Sequence, residues 1–209
     1  MTVRSLVHDD FMGEATSERE TEGTDSDTRT RLLDAAIHVA STDGLDKVTY
    51  RSVAAQAGLS HSLVRFYFGT GSQMIDEALE RAAQLDVQEA RLNSESIEDF
   101  GRDLVNVVSG ERSQGMLQYD YLLRAVRGGV PMERVRSLYM FHLDEVRATL
   151  DTIGIDDADG SISALVFAAI DGLVLQHAIY QSEERTELVM EKIREVLRLL
   201  QRTQDLPPH

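Results

Sequence analysis

The sequence contains no cysteine and no tryptophan, and only three prolines among its 209 residues. Without cysteine, disulfides, thiolate metal sites and cysteine nucleophiles are excluded. The longest unbroken apolar run, residues 164–170, has seven residues, whereas a helix needs about 20 to cross a bilayer. The opening residues, MTVRSLVHDD, contain no long apolar stretch of the kind found in secretory signals. We therefore expect a soluble, cytoplasmic protein that does not bind a membrane.

Positive charge is scarce, with 21 Lys and Arg against 36 Asp and Glu and a net charge of −15. Binding to phosphate needs local positive charge, so the total argues against a polyanionic partner. The distribution of charged residues along the chain, however, leaves one segment where such a partner could bind. Residues 1–27 carry two basic and eight acidic groups, residues 28–82 carry six of each, and residues 83–209 carry 13 and 22. The neutral segment is where a polyanion would bind.

Most of the chain has the apolar spacing of helices. Residues 1–27 are acidic and polar without sustained periodicity, which predicts a disordered tail. A short helix around residues 7–12 docking on the body is the alternative. From residue 28 onward, apolar residues recur at helical spacing between glycine breaks, and no stretch alternates as a strand does. The sequence predicts an all-α fold of about nine helices.

Residues 50–67, YRSVAAQAGLSHSLVRFY, have the pattern of a helix-turn-helix. Thr49 can cap the first helix, Gly58 supplies the tight turn, and Ser60 can cap the second helix. Small and apolar residues occupy the crossing and anchoring positions. The residues expected to face outward from the second helix are Ser60, His61, Ser62, Arg65 and Phe66. Such a face contacts base edges in a DNA groove.

Residues 31–79 carry a further pattern that extends beyond this unit. Its elements are Ala35-Ala36, Gly44, Thr49, the segment 54–60 and the aromatic cluster 66–69. In these residues the sequence resembles the TetR family of bacterial transcription regulators. The segment DGLVLQH at residues 171–177 also looks like the dimerisation helix of many members. The resemblance implies a three-helix DNA-binding domain at 28–72 and a helical ligand-binding and dimerisation domain at 73–209.

A TetR-type protein would bind a palindromic operator in double-stranded DNA as a homodimer, most often as a repressor, and a small molecule would release it. No cofactor or metal is implied, and an enzyme is not expected. Phosphate contacts are assigned to Lys47, Thr49, Arg51, Tyr67 and Gly71. Base readout is assigned to His61, Ser62, Arg65 and Phe66. Alternatively, Arg65 pairs with an acid, and Phe66 or Tyr67 packs against the first helix.

The sequence departs from the family pattern at three places. Arg65 stands where the family usually has a tyrosine, and Phe66-Tyr67 replaces a His-Tyr pair. Gly71 replaces a lysine that usually contacts phosphate at the start of the fourth helix. The loss of this cation weakens the expected backbone anchoring. A helical dimer whose helix-turn-helix no longer binds DNA, serving as a ligand-binding or protein-interaction module, is therefore the alternative function.

The last two helices have apolar faces broader than the core of a small monomer requires, which predicts a two-fold four-helix interface. A fully intramolecular core is the alternative. The residues assigned to the interface are Ala164, Leu165, Ala168, Gly172, Leu173, Gln176, His177, Val189, Ile193, Val196 and Leu200.

A few polar residues lie on otherwise apolar faces of the middle helices. We expect several of them to line a ligand pocket, although each alone is more often a satisfied core residue. They are Asn106, Gln118, Tyr121, Arg124, Tyr139, His142 and Asp171.

Overall fold

The computed structural model describes the backbone of residues 11–110 and 114–204, with side chains for residues 25–110 and 116–204. These residues form nine α-helices and no strand, which confirms the predicted fold class. A 3₁₀ turn at Leu45–Lys47 precedes the second helix. The helices are α1 Phe11–Asp43, α2 Tyr50–Ala57, α3 His61–Phe68, α4 Gly71–Glu89, α5 Leu104–Ser109, α6 Gln114–Val126, α7 Met132–Thr152, α8 Ser161–Tyr180 and α9 Glu183–Gln204.

Helix α1 begins earlier than the sequence predicts. A disordered tail was expected through residue 27, whereas α1 starts at Phe11; residues 1–10 lie outside the described part. Two contacts anchor α1 close to the predicted start: the Tyr67 hydroxyl donates to Asp25, and Arg29 pairs with Glu77. A helix once nucleated extends at small cost, and residues 11–27 contain no proline to stop it.

The buried apolar side chains form two clusters that meet within α4. The first cluster joins α1–α3 to the first part of α4 and to α6 and the start of α7. The second joins the end of α4 to the 90–104 segment, the end of α7, and α8 and α9. Ala83 belongs to the first cluster and Val87, one turn later, belongs to the second. Helix α4 therefore connects the two halves of the molecule.

The apolar spacing of residues 96–109 predicts one continuous helix there, and the structure differs from that prediction. Only Leu104–Ser109 is α-helical, because Gly101 takes a left-handed conformation with φ of 64°. Its N–H donates to the Arg91 carbonyl at 3.0 Å. The neighbouring Phe100 carbonyl accepts a hydrogen bond from Arg194 Nε at 3.0 Å. The turn therefore depends on tertiary contacts that no local pattern reveals.

Helices α8 and α9 leave a broad apolar face uncovered. On α8, Leu165 is 66% exposed and Ile179 is 73% exposed; on α9, Leu188 is 60% exposed. Helix α8 is also long and apolar enough, by composition alone, to cross a membrane, with a mean hydropathy of 1.8. It packs against α5, α7 and α9. A helix that packs on the core with one face and on another subunit with the opposite face can be as apolar as a membrane-spanning helix.

Candidate functional site

The α2–turn–α3 unit forms as its capping residues predict. Thr49 accepts a hydrogen bond from the Ser52 N–H at 3.1 Å, and Ser52 Oγ accepts one from the Thr49 N–H at 2.9 Å. Gly58 takes the left-handed conformation with φ of 66°. The Ser60 side chain then accepts a hydrogen bond from the Leu63 N–H and caps α3. These local contacts fix the angle between the two helices without help from a ligand.

Helix α3 separates its buried and exposed residues as expected of a DNA-reading helix. Val64 and Phe68 are buried in the first core, whereas His61, Ser62 and Arg65 are exposed. Phe66 is 78% exposed, so it does not pack into the core. Its ring meets the Tyr67 ring edge-on, with centroids 5.4 Å apart. The outward surface of α3 thus combines hydrogen-bonding groups, one cation and one large apolar ring.

Free positive charge concentrates around this surface. Lys47, Arg51 and Arg65 are exposed, and none of them forms an ion pair with any described residue. Other cations of the same half are already paired: Arg29 with Glu77, and Arg81 with Asp34. The acids Asp46 and Asp76 are paired with Arg124 and Arg134. Residues 28–82 are neutral on average, but the surface around α2 and α3 is therefore locally positive.

Two of the predicted phosphate contacts have structural roles of their own. The Tyr67 hydroxyl donates to Asp25 of α1, and this hydrogen bond is the largest factor raising the pKa of Tyr67. Gly71 is the first residue of α4, where the Thr70 side chain accepts from the Gln73 N–H at 3.1 Å. Tyr50 Oη also donates to the Gly69 carbonyl at 2.8 Å. These contacts fix the turn that leads from α3 into α4.

A cavity of about 70 Å³ lies among the helices of the second half. Helices α4 to α8 all contribute to its wall. Its lining is mostly apolar, with Leu104, Val107 and Ile170 among the aliphatic residues. Its polar lining residues are Asp86, Gln118, Tyr119, Tyr139, His142 and Asp171. A mostly apolar lining with a few converging polar groups is typical of small-molecule sites.

Asp86 is the most perturbed acid in this cavity. Its Oδ2 accepts a hydrogen bond from Gln118 Nε2 at 2.9 Å, while its buried Oδ1 has no hydrogen-bond partner among the described residues. Burial, followed by the nearby charge of Glu89, raises the pKa of Asp86 to about 7. A carboxyl group held in this way can carry a proton or a negative charge near neutral pH.

The second acid, Asp171, lies on α8 and is held by a tyrosine. Tyr119 Oη donates to Asp171 Oδ1 at 2.7 Å. Burial, and then this hydrogen bond, raises the pKa of Tyr119 far above its ordinary value.

His142 on α7 also lines the cavity. Burial lowers the pKa of His142, and its Nδ1 lies 2.9 Å from the Leu138 carbonyl. A neutral ring that donates through Nδ1 keeps Nε2 as an acceptor.

The structure brings four of the seven predicted pocket residues together: Gln118, Tyr139, His142 and Asp171 line the cavity. The other three lie elsewhere. Asn106 is exposed, Tyr121 donates to Asp76 at 2.7 Å, and Arg124 is paired with Asp46 and Asp120. Tyr121 and Arg124 connect α6 to the N-terminal half, through Asp76 at the start of α4 and Asp46 before α2.

Sequence reasoning missed Asp86 and Tyr119. A signal for Asp86 was present, because it lies at four-residue spacing in the buried row formed by Ala78 and Ala82 of α4 and by Ala90, the residue that follows the helix. An acid in such a row has little access to water, and because burying a carboxyl group is unfavourable, its presence indicates a functional role. Tyr119 offered no comparable signal, since its partner Asp171 is 52 residues away in sequence.

The predicted interface residues divide between the exposed face and the protomer's own core. Leu173 is buried in the second core. His177 is also buried: its Nδ1 lies 2.8 Å from Thr186 Oγ1 and its Nε2 lies 3.3 Å from Ser109 Oγ. These two residues therefore serve the contacts of α8 with α5 and α9 instead of the exposed face. The exposed members are Ala164, Leu165, Ala168, Gln176 and Val196, and the half-buried ones are Gly172, Val189, Ile193 and Leu200.

Comparison with known proteins supports the resemblance seen in the sequence. Residues 32–78 match the family described as bacterial regulatory proteins, tetR family. No curated protein is similar enough to count as a match. Similar solved structures include the multidrug binding protein EbrR complexed with imidazole, at 24% identity and a TM-score of 0.56, covering 87% of this chain and 96% of EbrR.

Two further structures have comparable similarity. A TetR-family member from Streptomyces coelicolor A3 is 23% identical with a TM-score of 0.61, covering 83% of this chain and 97% of its own. A transcriptional regulator from Rhodococcus sp. Rha1 is 22% identical with a TM-score of 0.58, covering 86% of this chain and 99% of its own. The described chain therefore has the fold of the TetR-family transcriptional regulators, and its residues 32–78 carry the family's N-terminal domain.

Proposed function

We propose that this chain is a homodimeric transcriptional regulator that binds a palindromic operator in double-stranded DNA and acts as a repressor. The observation that carries the proposal is the surface of α3. It exposes Phe66 and Arg65, and Lys47 and Arg51 beside it form no ion pair with any described residue. A helix that serves only the core would bury such a ring, and unpaired cations would not stabilise it. DNA explains both features, because base edges can contact the exposed ring and phosphates can pair with the cations.

Dimerisation through the exposed face of α8 and α9 would set the spacing of the two α3 helices. Two such helices about 34–36 Å apart meet successive major grooves of one face of the duplex. A small change in their separation prevents both from docking at once. The dimer thereby converts a modest movement inside each protomer into a large change in affinity.

The effector would bind in the cavity and act through α4. This helix begins at Gly71, with only Gly69 and Thr70 between it and α3, and Asp86 in its last turn lines the cavity. The two points are about 22 Å apart along the axis, at 1.5 Å per residue. A ligand that tilts α4 at Asp86 moves α3 at the other end. EbrR, which shares this fold, has been crystallised with imidazole. By linkage, operator DNA must weaken effector binding by the same factor.

In vitro selection of random duplex DNA on the purified protein tests the proposal. We expect a palindromic sequence to be enriched, with affinity falling steeply as salt is raised in an anisotropy measurement. Each phosphate contact adds about 0.9 to the slope of log affinity against log salt. A stable dimer that enriches no sequence would contradict the proposal. It would favour the alternative function, a ligand-binding or protein-interaction module, for which Gly71 and the Tyr67–Asp25 contact also argue.

Arg65→Ala tests the reading surface directly. An arginine that grips a guanine contributes roughly 1–3 kcal/mol of discrimination, so we expect operator affinity to fall by about 5- to 150-fold. The dimer and its melting temperature should be unchanged, because Arg65 has no partner among the described residues. Arg202→Ala on α9 is the matched control, because Arg202 is exposed and, like Arg65, forms no ion pair with a described residue. Equal operator affinity in both variants would remove Arg65 from the site.

A further inference from the structure

The hydrogen-bonding groups of the cavity are mostly acceptors. Asp86 Oδ1 is buried without a partner among the described residues, and the neutral His142 ring keeps Nε2 as an acceptor. Two donors of the wall are already used, since Gln118 donates to Asp86 and Tyr119 donates to Asp171; the Tyr139 hydroxyl is a further polar group of the lining. A ligand that satisfies the two acceptors must bring a hydrogen-bond donor with it.

The charges of the cavity point the same way. Two carboxyl groups, Asp86 and Asp171, line it, and no lysine or arginine does so among the described residues. A buried carboxyl oxygen without a partner costs stability, and the cost is recovered when a cation with an N–H donor binds it. An anionic ligand would place a further negative charge beside these carboxyl groups in the same low-dielectric space.

Aromatic rings form one wall. Phe167 packs edge-on against Tyr139, with centroids 5.6 Å apart, and is stacked with the His142 ring at an interplanar angle of 14°. Tyr119 and the aliphatic side chains of Leu104 and Val107 complete the surroundings. Ring faces attract both flat apolar groups and cations.

We propose that the effector is an aromatic amine or related organic cation whose protonated N–H group binds Asp86 Oδ1. This inference rests on the proposed function, since it names the class of molecule that acts on the regulator. The amine donates to Asp86 and the ring packs on Phe167 and Tyr139. Asp171, held by Tyr119, supplies a second negative charge nearby.

The size of the cavity adds a mechanism. At about 70 Å³ it is smaller than the ~150 Å³ cavity that accommodates benzene in an engineered protein core. We therefore expect an aromatic cation that binds there to push the surrounding helices apart. Because its charged end binds Asp86, the helix that moves with it is α4. The anchoring group and the transmitting element are thus the same helix.

A panel of arylmethylamines with one, two and three fused rings tests the proposal, each compared with the alcohol of the same skeleton. The amines are cationic at pH 8 and the alcohols are neutral. By calorimetry on the full-length protein, we expect at least one amine to bind ten or more times tighter than its alcohol. Alcohols that bind as tightly as their amines throughout the panel would overturn the proposal.

Asp86→Asn locates the charge that recognises the amine. Asparagine keeps an oxygen that accepts from Gln118 but carries no charge, so the preference for the amine should disappear while alcohol binding is kept. Glu80→Gln is the matched control, because Glu80 is an exposed acid on α4 that does not line this cavity. Survival of the amine preference in Asp86→Asn would assign recognition to another group.

The outcome is separable from that of the proposed function. DNA selection is carried out without effector, so an enriched palindrome together with indifferent amines would retain the regulator and reject the cationic effector. If the protein enriches no DNA but binds amines in a way that depends on Asp86, the amine site is retained and the DNA-binding function is rejected. When both hold, adding the tightest amine should release the selected operator.

Discussion

At the scale of single residues, the molecule separates contacts that fold it from groups left free for a partner. Thr49, Ser52 and Ser60 have their hydrogen bonds inside the chain, whereas Arg65 and Phe66 on α3 are exposed, and the Arg65 side chain has no ion pair with a described residue. Asp86 has the same character in the interior: one oxygen is hydrogen-bonded and the other has no partner among the described residues. These groups, on α3 just before α4 and in the last turn of α4, are the residue-level basis for the two proposed binding events.

Asp86 should make stability depend on pH. The pKa of its carboxyl is about 7 in the folded protein, against 3.8 for an ordinary aspartate. The folded state therefore holds a proton that the unfolded state has released. The stability that Asp86 adds to the folded state is therefore fully present below about pH 4 and is lost as the pH rises through 7. Asp86→Asn should raise the free energy of unfolding at pH 8 by roughly 1–3 kcal/mol and leave it little changed at pH 4.

Urea denaturation at the two pH values, with Glu80→Gln beside it, measures this effect. Glu80 is exposed, so its variant should follow the wild type at both values. An Asp86→Asn protein that is no more stable than wild type at pH 8 would mean that the folded protein ionises Asp86 without cost.

At the scale of elements, what could be predicted from sequence depended on where the determining contacts lie. Helices α2 and α3 were predicted to within a residue because their caps and turn are local: Thr49, Gly58 and Ser60 each act on amides within a few positions. The start of α5 and the composition of the cavity were not predictable in this way. They depend on Arg194 reaching Phe100, and on Tyr119 reaching Asp171.

The turn before α5 should be sensitive to a single methyl group. Gly101 has φ of 64°, and a Cβ placed there would lie 2.2 Å from the terminal carbon of Met190, which is fully buried. Gly154 also has a positive φ, of 77°, but a Cβ there meets nothing within 4 Å. Both alanine variants pay backbone strain of about 1 kcal/mol, and overpacking adds about 1–3 kcal/mol for Gly101→Ala alone.

Thermal or urea unfolding of the two variants isolates the packing contribution, because the backbone change is shared. Equal destabilisation of Gly101→Ala and Gly154→Ala would show that Met190 moves aside freely.

At the scale of the whole molecule, the uncovered face of α8 and α9 is the main feature that one chain leaves unexplained. Leu165, Ile179 and Leu188 lie on it, and Val196 is 47% exposed. Exposed apolar residues that gather on two adjacent helices differ from the scattered ones that any surface carries. A second copy of the chain would cover them across a two-fold axis.

Leu165→Asp should break this association. A charge at the centre of an apolar interface is left without water or a partner, so we expect the variant to be monomeric by light scattering while its helical circular dichroism is retained. Operator binding should weaken with it. Leu123→Asp, at a residue 50% exposed on α6, is the control and should remain dimeric. A dimeric Leu165→Asp protein would place the interface elsewhere.

The meeting of the two apolar cores within α4 has a consequence for the evolution and engineering of the chain. The sequence suggested a border at residue 72, but Met74, Ala78 and Leu79 complete the core beneath α1 to α3. A fragment cut at that border would lose this support and expose the apolar side of its own helices. We therefore expect that the half formed by α1 to α3 cannot be transplanted by itself: a chimera has to inherit α4 with it, and with α4 comes the acid that faces the cavity.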